Sequence, residues 1–197
     1  MNIAVFDFDG TLIKEDSFIL FVKYISSKKK YYIGWLLIVY YYLVRKLGFV
    51  SNQEFKEKVI SYFMKGREVL ELNTYSINFA ENIIPTKLTN QAIKQLRYHE
   101  NAGDKIVIVS ASLDLWLQYW CKTQDFDLVC SIAEVRDDKI TGKLVGRNCI
   151  GVEKVSRIKK AYKLEEYSKI YVYGDSKNDL PMLSLGTDAY YNWEKIG

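Results

Sequence analysis

Three runs of apolar residues break abruptly into polar ones. Ile3-Ala4-Val5-Phe6 gives way to Asp7-Phe8-Asp9-Gly10-Thr11, and Lys105-Ile106-Val107-Ile108-Val109 to Ser110-Ala111-Ser112. Near the end of the chain, Lys169-Ile170-Tyr171-Val172-Tyr173 runs into Gly174-Asp175-Ser176-Lys177-Asn178-Asp179. Apolar runs of this length without alternation predict strands buried on both faces. Helical periodicity follows each of them. The pattern predicts an α/β fold with a Rossmann-like parallel sheet whose active edge lies at the carboxyl ends of the strands.

Between the first two strands the pattern is helical and rich in Tyr, Phe and Lys. Ser51-Asn52-Gln53-Glu54 is a capping-box candidate, with Phe55, Val59, Tyr62 and Phe63 on one face of the helix it opens. Gly66 breaks that helix, and Pro85 ends the next one near residues 82–84. A further helical stretch, 86–101, leads back to the second strand. Downstream, the spacing predicts a helix over 113–124, a short strand over 127–130 and a hairpin of 132–136 with 140–145. A helix over 151–164, the third apolar strand and one more strand over 187–191 complete the reading. Residues 1–14 and 85–197 thus form the expected α/β core, and residues 15–84 an inserted all-helical domain.

The segment from Tyr31 to Val44 is apolar around its whole circumference, with Lys28–Lys30 before it and Arg45-Lys46 after it. Such a helix is buried, sits in a partner interface or meets lipid. It falls short of the roughly 20 residues of a bilayer span. A packed helix, a homodimer contact and peripheral contact with the inner face of a membrane remain open.

The chain has 197 residues and a formal net charge of +4 with scattered basic positions, which argues against a nucleic-acid partner. Its three cysteines, Cys121, Cys130 and Cys149, lack metal-ligand or redox spacing. With no secretory signal, they read as reduced thiols of a cytoplasmic protein. The single histidine, His99, lies near an expected helix end capped at Gly103, where a surface or dipole-satisfying role is expected. A single histidine so placed argues against a histidine relay or a multi-histidine metal site.

Residues two apart in an extended chain share a face, so Asp7 and Asp9 can address one site. Two carboxylates crowded at a strand end imply a cation, a raised pKa or both. Asp7, Asp9 and Asp175 offer only oxygen donors, which suits Mg²⁺ rather than zinc. Ser110 offers a hydroxyl and the N–H groups beyond it, in position to hold an anion at the start of a helix, and Lys154 a positive charge. Cation, carboxylate nucleophile and anion donors are the parts of phosphoryl transfer.

Asp7-Phe8-Asp9-Gly10-Thr11-Leu12, Ser110, Lys154 and Gly174-Asp175-Ser176-Lys177-Asn178-Asp179 resemble the four ordered motifs of the haloacid dehalogenase-like (HAD) hydrolase superfamily. The insertion after the first motif is similar to the helical cap of its phosphoserine phosphatase-like branch. The resemblance implies a Mg²⁺-dependent phosphatase acting on a phosphomonoester. Asp7 is then the nucleophile that forms an aspartyl phosphate, and Asp9 the acid and base. The metal is held by Asp7, the carbonyl of Asp9 and Asp175, with Asn178 and Asp179 in support. Ser110, Ala111 and Lys154 bind the phosphoryl group.

The substrate is either a phosphorylated small metabolite or a lipid phosphate. Phosphoserine phosphatases usually carry Ser at the position of Gly10 and Glu at that of Asp16. Asp16 either touches substrate or caps the first inserted helix. Arg45 and Arg67 are available for a substrate anion. The segment from Tyr31 to Val44 is similar in character to the cap of phosphatidylglycerophosphatase-type relatives. A phosphotransferase using the same site, and a regulatory module phosphorylated on Asp without turnover, are the alternatives.

Overall fold

In the computed structural model, which describes residues 1–196 and so leaves Gly197 of the expected core outside, β1 (Ile3–Phe6) lies inside a six-stranded sheet. The chain leaves it into α1 (Ser17–Tyr24), α2 (Lys28–Lys46), α3 (Asn52–Met64), α4 (Val69–Asn82), the single turn α5 (Ile84–Lys87) and α6 (Asn90–Asn101). It returns as β2 (Lys105–Leu113), followed by α7 (Asp114–Gln124), β3 (Asp127–Ser131) and the hairpin of β4 (Ala133–Arg136) and β5 (Lys139–Leu144). The last elements are α8 (Val152–Ala161), β6 (Ile170–Gly174), α9 (Leu180–Leu183), β7 (Asp188–Tyr191) and β8 (Glu194–Ile196). Sheet order is β3-β2-β1-β6-β7-β8, parallel throughout except for the β7–β8 pair. This is the expected α/β architecture.

Alternate residues of β1 serve opposite faces: Ile3 and Val5 join one apolar cluster, Ala4 and Phe6 the other. Cover on both faces explains the uninterrupted apolar run. Phe6 pairs with Ile108 on one side and Tyr173 on the other, so the polar residues after all three strands emerge along one edge.

The Phe6 cluster continues through Phe8, Trp116 and Trp120 into Phe21, Phe63 and Phe79 of the helices between β1 and β2. Phe21 stacks on Trp116 with ring centroids 4.5 Å apart. Gly34 lets α2 lie close on α3, since a β-carbon there would come within 2.2 Å of the Phe63 ring. The hairpin ties down the α3–α4 link through Gly66 N–H to Ile140 O and Val69 N–H to Asp138 O, both 2.8 Å.

Ser51 and Glu54 form the expected capping box on α3. Elsewhere the structure corrects the sequence expectations. The helical stretch over 86–101 holds the end of α5 and all of α6, divided where the chain extends at Leu88 and Thr89 caps α6 through Ala92 N–H. β2 runs on past Val109 to Leu113, since Ser110 still pairs with Cys130 of β3, so Ser110 is a strand residue and not a helix start. β8 was not expected at all. His99 is no surface residue: it is fully buried, with Nδ1 2.7 Å from Asp104 Oδ2 and Nε2 2.9 Å from the Tyr173 hydroxyl. Among the described residues no helix is long and apolar enough to cross a membrane.

Candidate active site

Asp7 stands one residue past β1, where its N–H still donates to Tyr173 O at 2.9 Å. Strand pairing therefore fixes its position beside β6, the strand that delivers Asp175. Gly10 then turns the chain with φ of +90°. A β-carbon on Gly10 would lie 2.2 Å from Asp175 Oδ2, so the turn and the close approach both require glycine.

Oxygen atoms of Asp7, Asp175 and Asp179 lie within 4.8 Å of one another. Thr11 Oγ1 is within reach of two of them, 3.1 Å from Asp175 Oδ1 and 3.3 Å from Asp7 Oδ2. Lys154 comes from the first turn of α8 and is buried, with Nζ 2.5 Å from Asp7 Oδ1 and 2.6 Å from Asp179 Oδ1. Asp179 is held in turn by the Ser176 N–H at 3.1 Å and the Ser176 hydroxyl at 2.6 Å. Burial pushes the Asp7 carboxyl up to about 8, with Lys154 opposing and Asp179 adding to the rise. Burial works against the Lys154 charge, but Asp7 and Asp179 more than offset it and hold the ammonium above its ordinary value. Burial also raises Asp175, and Asp179 adds to it.

Three carboxylates around one lysine leave an excess of negative charge in a buried place. The donors are all oxygens, with no thiol or imidazole among them. This set fits Mg²⁺. Asp179 belongs to the carboxylate cluster itself, whereas the Asp9 carboxylate stands outside it.

Asp9 is fixed on the other side of the edge. Its Oδ1 accepts the Ser17 N–H at 2.6 Å, and its Oδ2 accepts the Ser112 hydroxyl at 2.5 Å and the Ser110 hydroxyl at 3.4 Å. Behind Ser112 the Ser17 hydroxyl donates at 3.0 Å, and the Trp116 indole donates to Ser17 at 3.2 Å. Each donor in this chain has one proton to give, so the chain points toward Asp9. Ser112 therefore orients Asp9. Ser110 is fully buried and its oxygen also accepts the Ser112 N–H at 2.9 Å.

A cavity of about 310 Å³ opens above these residues and is lined by Asp7, Asp9, Ala111, Lys154, Asn178 and Asp179. Asp16 lines it too, while its Oδ1 accepts the Ile19 N–H at 3.0 Å as the cap of α1. The far wall comes from the helices between β1 and β2: Phe18, Arg45, Asn52, Phe55 and Lys56. Arg45 stacks over Phe55 with 5.6 Å to the ring centroid, bonds Asn52 Oδ1 and keeps a buried Nε without a partner. Arg67 is bound elsewhere, to Glu71 at 2.6 Å and to Ile25 O.

Lys56 escaped the sequence reading. Its side chain is buried and donates to Ala111 O and, at 3.3 Å, to Asn148 Oδ1. Burial pulls its ammonium down to about 8, with Asp9 and Asp16 opposing. The available signal was its register: Lys56 stands three, four and seven residues before the buried Val59, Ile60 and Phe63. A lysine on the apolar face of a helix calls for a polar destination.

A sequence profile of the haloacid dehalogenase-like hydrolase family matches residues 4–184. Protein CicA of Caulobacter vibrioides is 30% identical, over 96% of this chain and 85% of its own length. Histidinol-phosphatase of Neisseria meningitidis serogroup C is 26% identical, over 93% of this chain and 86% of its own. Among solved structures, a phospho-aspartyl intermediate analogue of phosphoserine phosphatase shares the fold with a TM-score of 0.65. The two chains are 17% identical over 94% of this one and 83% of the other.

Proposed function

Because the chain belongs to the haloacid dehalogenase-like hydrolase family, we propose that it is a Mg²⁺-dependent phosphatase that cleaves a phosphomonoester through an aspartyl phosphate on Asp7. One observation carries this: two acids two residues apart face one cavity in opposite electrostatic settings. Asp7 is gripped by a lysine, and Asp9 only by neutral donors. Lys154, with Mg²⁺ when bound, works against the burial that raises the Asp7 carboxyl and so favours the nucleophilic anion, while Asp9, held by hydroxyl and backbone donors, acts as acid and base.

An Asp7 carboxylate oxygen attacks phosphorus as the ester bond breaks, and Asp9 gives its proton to the leaving oxygen. Asp9 then takes a proton from the water that attacks the aspartyl phosphate, and Asp7 is released with inorganic phosphate. Lys154 follows the charge on the phosphoryl oxygens. Ser110 joins it by exchanging its weak bond to Asp9 for one to phosphate, and Ala111 contributes through its backbone. Asp7, Asp175 and the Asp9 carbonyl would hold Mg²⁺, with Asn178 and Asp179 ordering that shell. When bound, the ion supplies charge neutralisation for the phosphoryl group.

Residues 15–84 serve as the cap, and their Phe18, Arg45 and Lys56 select the leaving group. The substrate is a small-metabolite or lipid phosphate; the phosphatase name of the Neisseria relative supports the phosphomonoester class. A screen of sugar, amino-acid, nucleotide and lipid phosphates with Mg²⁺ tests this. Release of phosphate from at least one class, lost in Asp7→Asn, is expected; no hydrolysis of any class would refute it.

A further inference from the structure

α2 carries the largest run of exposed apolar side chains in the chain. Gly34, Leu37, Ile38 and Tyr41 turn toward Val59, Tyr62 and Phe63 of α3. The opposite stripe faces solvent: Tyr32, Leu36, Val39, Tyr40 and Leu43 recur at helical spacing, with Leu36 70% and Leu43 55% exposed. Leu47 and Phe49, just beyond the helix, are also more than 70% exposed. A water-facing apolar stripe of this length marks a contact surface.

The charges around the stripe decide what it meets. Lys28 and Lys29 are exposed at one end and Lys46 at the other, and no acidic residue occurs between Lys28 and Gln53. A two-fold pairing of this face with a second copy would set cations against cations in either orientation, with no acid on the helix to answer them. An anionic bilayer surface answers them directly. Leucine at the centre, tyrosine and tryptophan around it and lysine at the ends suit the layers met on entering a membrane interface. The helix has 19 residues and would lie in the plane of the membrane over about 28 Å.

We propose that the exposed face of α2 docks the protein on an anionic membrane surface. Arg45, on the last turn of the same helix, lines the cavity, so docking brings the cavity's far wall close to the lipid headgroups. The docking face does not depend on the chemistry at Asp7.

Vesicle flotation tests it with the full chain. Wild-type protein is expected to float with phosphatidylcholine–phosphatidylglycerol vesicles, to stay behind with phosphatidylcholine alone, and to be released by salt. Leu36→Glu with Leu43→Glu should weaken partitioning by roughly tenfold or more. Lys28→Gln with Lys29→Gln and Lys46→Gln should lower it without touching an apolar residue. Circular dichroism and hydrolysis of a soluble aryl phosphate verify that each variant is folded. Three results would overturn the proposal: no flotation of the wild type with anionic vesicles, flotation of both variants equal to that of the wild type, or a stable dimer in light scattering that the leucine variant dissociates and that does not float.

Discussion

Lys154 Nζ lies 2.5 Å from Asp7 Oδ1, although 147 residues separate the two in the chain. The same ammonium reaches Asp179 at 2.6 Å, so one cation ties the end of β1 to the turn after β6. All three side chains are buried, and removing one partner strands the others in a low-dielectric place.

Lys154→Met is therefore expected to cost about 3–5 kcal/mol in the metal-free protein, read from urea unfolding. Added Mg²⁺ should restore part of that loss by answering the same carboxylates. Turnover should fall by roughly a hundredfold or more even when the variant is saturated with metal, since the phosphoryl oxygens lose their cation.

Gly10→Ala places a β-carbon where Asp175 Oδ2 stands and forces alanine to a φ of +90°. Asp175 must move. The Mg²⁺ concentration for half-maximal activity should rise by roughly tenfold or more. The midpoint of thermal unfolding should drop as well. Unchanged metal activation would show that Asp175 does not serve the ion.

Lys56 loses its charge as pH rises through about 8. If it holds substrate, KM should climb across that range while kcat changes little. Lys56→Gln should start with a high KM and show no such climb. Steady-state kinetics at fixed Mg²⁺ distinguishes the two proteins.

Burial holds the His99 imidazole below its ordinary 6.5, with Asp104 opposing. Below pH 6.5 the unfolded chain then binds a proton that the folded chain refuses, so stability falls as pH falls. Urea midpoints measured across this range should decline for the wild type, and His99→Gln should remove part of that slope.

The strands and the acids at their ends were legible because a doubly covered strand must be apolar throughout, and carboxylates that close it stand out. Capping chemistry was equally plain at Ser51 and Glu54. Residues whose meaning lies across the fold were not. Lys56 finds Asn148 at a separation of 92 residues, and His99 finds Tyr173 at 74. The turn before β8 puts Asn192 and Trp193 at φ of 50° and 70° without a glycine to announce it. Ser110 was placed at a helix start because the apolar run stops at Val109, yet the ladder with β3 continues.

Asp7 as the phosphoryl acceptor is tested most directly by acid quench of the enzyme during turnover of a phosphate-labelled aryl phosphate with Mg²⁺, followed by peptide mapping. Expected is an acid-stable, hydroxylamine-labile label on the peptide that carries Asp7, absent from an Asp7→Asn protein that is folded and inactive. Label on another residue, or turnover retained in Asp7→Asn, would contradict it.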